Sequence, residues 1–117
     1  MHRFKDLEIW KISRLFCSEI YSATSKFLDS EKFGLTDQLR RASVSISSNI
    51  AEGSSRKSNK DFSRFLEISM GSCYEIETQL FIAFDLKFIS EIELNLLSKE
   101  LEEIIKMISK FKSTLKI

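Results

Sequence analysis

Six basic side chains near the middle of this sequence are well suited to bind a charged ligand. They lie in the stretch RRASVSISSNIAEGSSRKSNKDF, residues 40–62, or just beyond it: Arg40, Arg41, Arg56, Lys57, Lys60 and Arg64. Arginine offers a planar fork of donors that matches phosphate oxygens, and lysine adds a compact positive charge. These residue types therefore indicate binding of a polyanion such as nucleic acid.

The sequence supports two interpretations of Arg40 and Arg41. The two residues are neighbours on a predicted helix, where successive side chains point about 100° apart, so both can lie beside the buried face. They can contact nucleic acid, or they can form ion pairs with Asp37 and with Glu75 and Glu77 of the next helix.

The loop that follows Gly53 concentrates positive charge at the start of another predicted helix. Arg56 and Lys57 lie in the loop, and Lys60 and Arg64 are one turn apart in the helix. A helix N-terminus carries free N–H groups and a partial positive charge, so these cations can complete a phosphate site. The alternative is a solvated basic loop whose cations only stabilise the C-terminus of the preceding helix.

The sequence lacks the residues that common catalytic sites require. Its only histidine is His2, so no Glu-x-x-His pair is present for a di-iron centre, and the serines of helix 2 have no histidine base. The segment AEGSSR has neither the spacing nor the lysine of a phosphate-binding P-loop. Cys17 and Cys73 occupy predicted core positions, which indicates reduced thiols and not a disulfide or a metal site. We therefore predict a non-enzymatic protein without a cofactor or a metal.

Apolar residues recur at steps of three and four in four segments, the spacing that places side chains on one face of a helix. The predicted buried faces extend over residues 7–27, 35–50, 62–84 and 94–115. Asp6, Thr36 or a neighbour, and Ser58 with Asp61 are the predicted N-terminal caps. Gly53 is predicted to end helix 2 in a left-handed conformation.

Four long helices with short connections predict an all-α fold, an up-down-up-down antiparallel four-helix bundle. No segment requires a strand, and residues 1–117 are predicted to form a single domain. Some apolar residues fall beside the main faces of helices 1 and 3: Ile9, Ile12, Phe16, Phe65, Ile68, Phe81 and Ile82. They indicate either a homo-oligomer that covers a wide apolar face or a wide core within one chain.

Asn49 is a polar residue among the core positions of helix 2. A buried amide must be hydrogen-bonded, and the natural partners on helix 3 are Glu75, Glu77 and Gln79, with Glu52 in the same region. We predict a structural polar network that fixes the register of the two helices, in preference to a catalytic amide.

The composition is that of a folded protein with little net charge. Apolar residues make up 43% and charged residues 30% of the chain, and the net charge is +1. The charge is uneven, because residues 1–66 carry 12 basic and 8 acidic side chains, whereas residues 67–117 carry 6 and 9. No apolar run reaches the roughly 20 residues that span a bilayer, and no signal peptide is evident. These features predict a cytoplasmic protein that is not bound to a membrane.

Three segments of the sequence resemble one known family. They are FKDLEIWKIS near the start, QLRRASVSISSNIAEG in helix 2 and GSCYEIETQL in helix 3. They are similar to the four-helix-bundle proteins encoded in intervening sequences of 23S rRNA genes, and the likeness extends from residue 4 to about residue 90. Helix 4 matches this family by its pattern only.

The resemblance implies a bundle that assembles as a homopentamer, a ring around a central channel, and that contacts nucleic acid through a basic surface. A relative in the same superfamily resembles the accessory variability determinant of diversity-generating retroelements, which works with a reverse transcriptase and RNA. The present chain departs from the family pattern near Leu28 and at Ser47, where proline is common, and at Met70, where arginine is frequent.

Two functions follow as predictions. The first is a homopentamer that binds RNA or DNA through the six basic residues. The second is a protein–protein interaction scaffold that binds no nucleic acid, and it is favoured by the near-neutral charge and by Met70.

Overall fold

The computed structural model describes residues 2–117, and four helices form most of the structure. They are α1, Glu8–Thr24; α2, Leu35–Ser54; α3, Asn59–Asp85; and α4, Glu91–Ser113. Single 3-10 turns at Phe4–Asp6 and Asp29–Glu31 precede α1 and α2, and no strand occurs within residues 2–117. The all-helical prediction is therefore confirmed.

The helices form the predicted up-down-up-down bundle. The four packed pairs are α1/α2, α2/α3, α3/α4 and α4/α1, which is the arrangement of a square bundle of antiparallel neighbours. The body measures 44 × 24 × 20 Å. The side formed by α1 and α4 is consequently opposite the side formed by α2 and α3. One end of the bundle holds the α2–α3 connection and the end of α4, and the other holds the two remaining connections.

The core contains the faces that were predicted for α2, α3 and α4. Its largest side chains from these helices are at most 2% exposed: Leu39, Ile46, Ile50, Phe62, Leu66, Ile76, Leu80, Leu101, Ile104 and Ile108. Their step of three and four residues keeps each helix turned towards the bundle axis.

Helix α1 buries a face that matches the predicted one only in part, since Ile20 and Thr24, and Phe27 beyond the helix, are buried as predicted. Its buried residues are Ile9, Ser13, Phe16, Ile20 and Thr24. The predicted core residue Tyr21 is exposed, and Trp10 and Cys17 are only half-buried. The extra apolar residues of α1 therefore belong to the core, whereas Ile68, Phe81 and Ile82 of α3 are 43–51% exposed.

Serine side chains begin the last two helices. Ser58 accepts a hydrogen bond from the Asp61 N–H at 3.1 Å and caps α3, as predicted. Helix α4 starts with a complete capping box, in which Ser90 accepts from the Glu93 N–H and the Glu93 carboxylate accepts from the Ser90 N–H. The cap of α3 satisfies one backbone donor, and the box of α4 satisfies two.

The caps predicted for α1 and α2 are wrong. Leu7 precedes α1 without a side-chain cap, because Asp6 belongs to the preceding 3-10 turn. Thr36 is buried in the first turn of α2, and the Leu35 N–H donates to the Glu31 carboxylate at 3.3 Å. The short turn before α2 thus supplies the acceptor that the sequence pattern assigned to a hydroxyl.

Gly53 has a role other than the predicted left-handed cap. It lies buried inside α2, which ends at Ser54, and no described glycine has a positive φ. A Cβ atom at this position would lie 2.7 Å from the Phe65 Cβ and 2.9 Å from the Phe62 Cδ1. Glycine is therefore needed because α2 and α3 approach closely here.

Candidate nucleic-acid interface

Helix α2 divides the six predicted basic residues into two groups. Arg40 and Arg41 lie in the first half of the helix. Arg56 follows the end of the helix, 16 residues further on, which corresponds to roughly 24 Å at 1.5 Å per residue. The three remaining residues accompany Arg56 at the end of the bundle that holds the α2–α3 connection. The prediction therefore combined two separate surfaces.

Arg40 connects the start of α2 to the end of α1. Its Nε donates to the Thr24 Oγ1 at 2.9 Å, and its Nη2 donates to the Tyr21 carbonyl at 3.3 Å. The guanidinium also lies 4.6 Å from the centroid of the Tyr21 ring. The last carbonyls of a helix lack intrahelical donors and attract cations. The Arg40 side chain is thus half-buried and already used between two helices.

Arg41 is exposed on the outer surface of α2. The ion pairs predicted for Arg40 and Arg41 with Asp37, Glu75 and Glu77 are wrong, because none of them forms within the described residues. Arg41 consequently keeps its charge and its donors available for a partner outside the chain.

The Phe65 ring organises the two arginines of the second group. The Arg56 guanidinium lies 4.7 Å and the Arg64 guanidinium 5.4 Å from its centroid, and Phe65 is 9% exposed. Arg56 also pairs with Glu52 at 3.0 Å, and Arg64 pairs with Asp61 at 3.5 Å. Such exposed pairs contribute at most about 1 kcal/mol, so a phosphate group can compete for both arginines.

Lys57 and Lys60 lie on either side of Ser58, the N-cap of α3. Both side chains are exposed, and neither forms an ion pair or a side-chain hydrogen bond within residues 2–117. The start of α3 adds its own partial positive charge. Asp61 in the first turn of α3 pairs with Arg64, so neither lysine is held by a carboxylate of the described chain.

The fold brings further lysines to the same place. Lys110 and Lys112 belong to the last turn of α4, and Lys116 follows it. Lys112 pairs with Glu67 of α3 at 3.4 Å, and the Lys116 carbonyl accepts from the Asn59 side chain at 3.1 Å. We call this region the basic end, and it comprises Arg56, Lys57, Lys60, Arg64, Lys110 and Lys116. The sequence interpretation did not select the lysines of α4.

The hydrogen bonds predicted from Asn49 to α3 are wrong. The Asn49 amide donates to the carbonyl and to the hydroxyl of Ser45, both at 2.9 Å and both within α2. The contact between α2 and α3 is made instead by hydroxyls, since Ser72 donates to Ser45 and Ser69 donates to the Ile46 carbonyl, each at 2.9 Å. Small serines suit this seam because the two backbones are close together.

The other residues of the predicted polar network are separate from one another. Glu52 forms an exposed ion pair with Arg56. The Gln79 amide lies 3.5 Å from the Gln38 side-chain oxygen, Glu75 is exposed, and Glu77 is half-buried. The predicted network therefore does not form.

Both cysteines are free thiols, as predicted. Burial, with a smaller effect of Glu77, raises the pKa of the Cys73 thiol to about 12. Cys17 is half-buried and accepts a hydrogen bond from the Ser43 hydroxyl at 3.4 Å. Because the thiolate is the nucleophile and the metal ligand, Cys73 is poorly suited to either role near neutral pH.

Two carboxyl groups face each other across the groove between α1 and α4. A hydrogen bond with Glu19, followed by burial, raises the pKa of Glu100 to about 7. Clefts of about 310 and 270 Å³ flank this pair, and Leu96 and Leu15 at their rims are 59% and 65% exposed. The groove is therefore both acidic and partly apolar, and the sequence interpretation identified none of these four residues.

The described part of the chain contains no cluster of three or more His, Cys, Asp or Glu side chains arranged to hold a metal ion. No helix within residues 2–117 is long and apolar enough to cross a bilayer. The ring of His2 packs against those of Phe62 and Phe111, with centroids 5.3 and 5.6 Å apart. The single histidine thus belongs to an aromatic cluster at the edge of the core.

The fold and the basic end define a small four-helix-bundle protein with a candidate polyanion-binding surface. The model of one protein family, described as 23S rRNA-intervening sequence protein, matches residues 5–110. The chain therefore belongs to the 23S rRNA-intervening sequence protein family.

A solved structure has the same fold. It is a protein of unknown function from the S23 ribosomal protein family of Bacteroides thetaiotaomicron, with a TM-score of 0.84 and 23% sequence identity. The similarity covers 91% of this chain and 96% of that one. None of the curated proteins matches the sequence.

Proposed function

We propose that this protein is a non-enzymatic homopentamer of the bacterial cytoplasm that binds RNA, or another nucleic acid, through its basic end. The observation that carries the proposal is the pair Lys57 and Lys60, which are exposed beside the start of α3 and form no ion pair within residues 2–117. The lysines of α4 add charge to the same end, and membership of a family named for an rRNA intervening sequence is consistent with an RNA ligand.

The local charge of the basic end matters more than the net charge of +1. Binding to a phosphate backbone releases condensed counterions for each cation that contacts it. A homopentamer presents the basic end five times, so modest contacts per chain add up on one long ligand. Arg40 is not part of the proposed surface because its side chain is hydrogen-bonded to the end of α1. Arg41 lies on another surface, roughly 24 Å from Arg56 along α2.

Titration of a fluorescein-labelled single-stranded RNA with the purified protein tests the proposal. The variant Lys57→Gln/Lys60→Gln removes two charges from the basic end, and Lys87→Gln/Lys99→Gln removes two exposed lysines elsewhere. We expect weaker binding of every RNA sequence by the first variant and wild-type binding by the second, because phosphate contacts carry no base information. Equal affinity for all three proteins would contradict the proposal.

The homopentamer is tested separately by static light scattering after gel filtration. The chain has a mass of 13.6 kDa, and the proposal requires five times that value. A mass of one chain at all protein concentrations would overturn the multivalent part of the proposal.

One observation favours the alternative of a protein–protein scaffold. Four exposed apolar side chains lie at the end of the bundle opposite the basic end: Leu28, Phe33, Leu86 and Ile92. Apolar residues gathered in this way are typical of surfaces that bind proteins. Purification from the native cell with and without nuclease separates the two functions. Co-purified RNA, seen as a raised 260/280 nm absorbance ratio, supports the first, and a stoichiometric second protein supports the scaffold.

A further inference from the structure

The groove between α1 and α4 has an excess of negative charge. The charged groups that face Glu100 are Glu19 from α1, Lys26 just after α1, and Glu93 and Glu103 from α4. Lys26 is bound to Glu93 at 2.9 Å, so within residues 2–117 it leaves the other three carboxyl groups without a cation. A ligand that brings a positive charge to the Glu19–Glu100 pair is therefore favoured by charge complementarity.

The groove also presents apolar surface to its ligand. Leu15 and Leu96 at its rims are well over half exposed, and they lie on the two sides of the acidic pair. A matching surface must therefore combine a cation with exposed apolar side chains.

The opposite side of the same bundle has these properties. Arg41 is an exposed cation without an ion pair, and Val44, one turn further along α2, is 42% exposed. The hydroxyl bond between Ser45 and Ser72 joins α2 to α3 one turn from Arg41, and Ile68, a further turn towards the basic end, is 44% exposed. Glu75 of α3, nearer to the level of Arg41, is exposed and forms no ion pair with it. A face that offers one unpaired arginine and exposed apolar side chains thus lies across the bundle from an acidic and apolar groove.

The two faces are also level along the bundle axis. Arg40 of α2 donates to the Tyr21 carbonyl of α1, and Ser43 of α2 donates to Cys17 of α1. Arg41 lies between these two contacts and is therefore level with residues 18–20 of α1. This turn contains Glu19 of the acidic pair.

We propose that the groove between α1 and α4 of one copy receives the outer face of α2 and α3 of the next copy, with Arg41 opposite Glu19 and Glu100. This inference rests on the homo-oligomer of the proposed function and assigns the two surfaces that form its interface. An interface between two different faces is heterologous, and it closes into a ring when the rotation between copies allows. Copies arranged around an axis parallel to their bundles meet at the same level, as this pairing requires.

The interface depends on pH. Arg41 binds the ionised form of the acidic pair, whereas in the isolated chain Glu100 has a pKa of about 7 and holds its proton below that value. Assembly is therefore strongest above pH 7, where Glu100 is already ionised, and it releases a proton below pH 7. It weakens as the pH falls below 7, because Glu100 must then give up a bound proton to accept the arginine.

Charge reversal tests the pairing directly. The variants Arg41→Glu and Glu100→Lys each place like charges across the interface, and we expect a rise of roughly 30-fold or more in the dissociation constant of the assembly, as for the loss of one partner in an interfacial ion pair. The chain that carries both substitutions restores opposite charges and is expected to recover the wild-type mass. Glu102→Lys, at an exposed position of α4, is the matched control.

Masses from light scattering at pH 8 and pH 6, with circular dichroism to confirm that each variant is helical, decide the outcome. Loss of assembly in both single variants, with recovery in the double variant, supports the interface. Wild-type masses for the single variants, or a dissociated double variant, overturn it and leave the homo-oligomer intact. If the wild-type protein is monomeric at both pH values, the proposed homo-oligomer is wrong, and so is the interface.

Discussion

Residues of one type have different roles in this protein because different elements surround them. Arg40 is held by the end of α1, whereas Arg41, the next residue, is exposed and unpaired within the described chain. Gly53 and Gly71 differ in the same way. The first is pressed against α3, and a Cβ atom at the second would meet nothing within 4 Å. Residue type alone does not distinguish these cases, since the distinction depends on which face of the helix meets a neighbour.

The two glycines give a matched pair of predictions at this scale. Gly53→Ala introduces a Cβ atom less than 3 Å from two phenylalanines, and we expect a loss of about 1–3 kcal/mol of unfolding free energy from overpacking. Gly71→Ala adds a methyl group on the exposed face of α3, and we expect a gain of about 0.5–1 kcal/mol from helix propensity. Urea denaturation followed by circular dichroism measures both. Equal effects of the two substitutions would show that the close approach of α2 and α3 is not limiting.

At the scale of elements, the sequence predicts four helices well because their apolar faces repeat regularly. Its assignment of the α1 face is correct at Ile20 and wrong at Trp10 and Tyr21, which are apolar enough to extend the pattern but lie partly outside the core. Caps are less predictable, because an acceptor from a preceding turn, such as Glu31, serves as well as the expected hydroxyl. The predicted bonds from Asn49 to α3 do not form, and the amide bonds to Ser45 within α2 instead, because contacts between helices depend on interhelical distances that periodicity does not encode.

The sequence predicts only the part of the basic end that lies in one continuous segment. Arg56, Lys57, Lys60 and Arg64 are close in sequence and remain close in space. The lysines of α4 reach the same end only because an up-down-up-down bundle returns the end of helix 4 to the α2–α3 connection. The predicted topology together with the charge pattern of helix 4 is enough to predict that these lysines lie at the same end.

The serine that begins α4 provides a prediction for an element. Ser90→Ala removes the acceptor of the Glu93 N–H and breaks the capping box, and we expect a loss of about 1 kcal/mol in unfolding free energy. Ser113→Ala is the control, because the Ser113 hydroxyl bonds only to the Lys110 carbonyl one turn back at the exposed end of the same helix. Thermal melts at one pH compare the two variants. A control that loses as much stability as Ser90→Ala would contradict the importance of the cap.

The molecule as a whole has two separate charged surfaces of opposite sign. The basic end lies at the tip of the bundle, and the acidic groove runs along its side between α1 and α4. A near-neutral chain can in this way bind copies of itself through its sides and keep its positive tips for another ligand. In the proposed homo-oligomer, several basic ends belong to one complex and would bind one long ligand together.

The salt dependence of RNA binding measures whether the basic end contacts phosphate groups. For a single-stranded ligand, the negative slope of log Kobs against log salt concentration becomes less steep by roughly 0.7 for each phosphate contact that is lost. We expect a steep negative slope for the wild-type protein. The slope for Lys57→Gln/Lys60→Gln should be shallower than the wild-type slope by about 0.7 or more. Identical slopes for the two proteins, or wild-type binding that does not change with salt, would contradict a phosphate-binding role for the basic end.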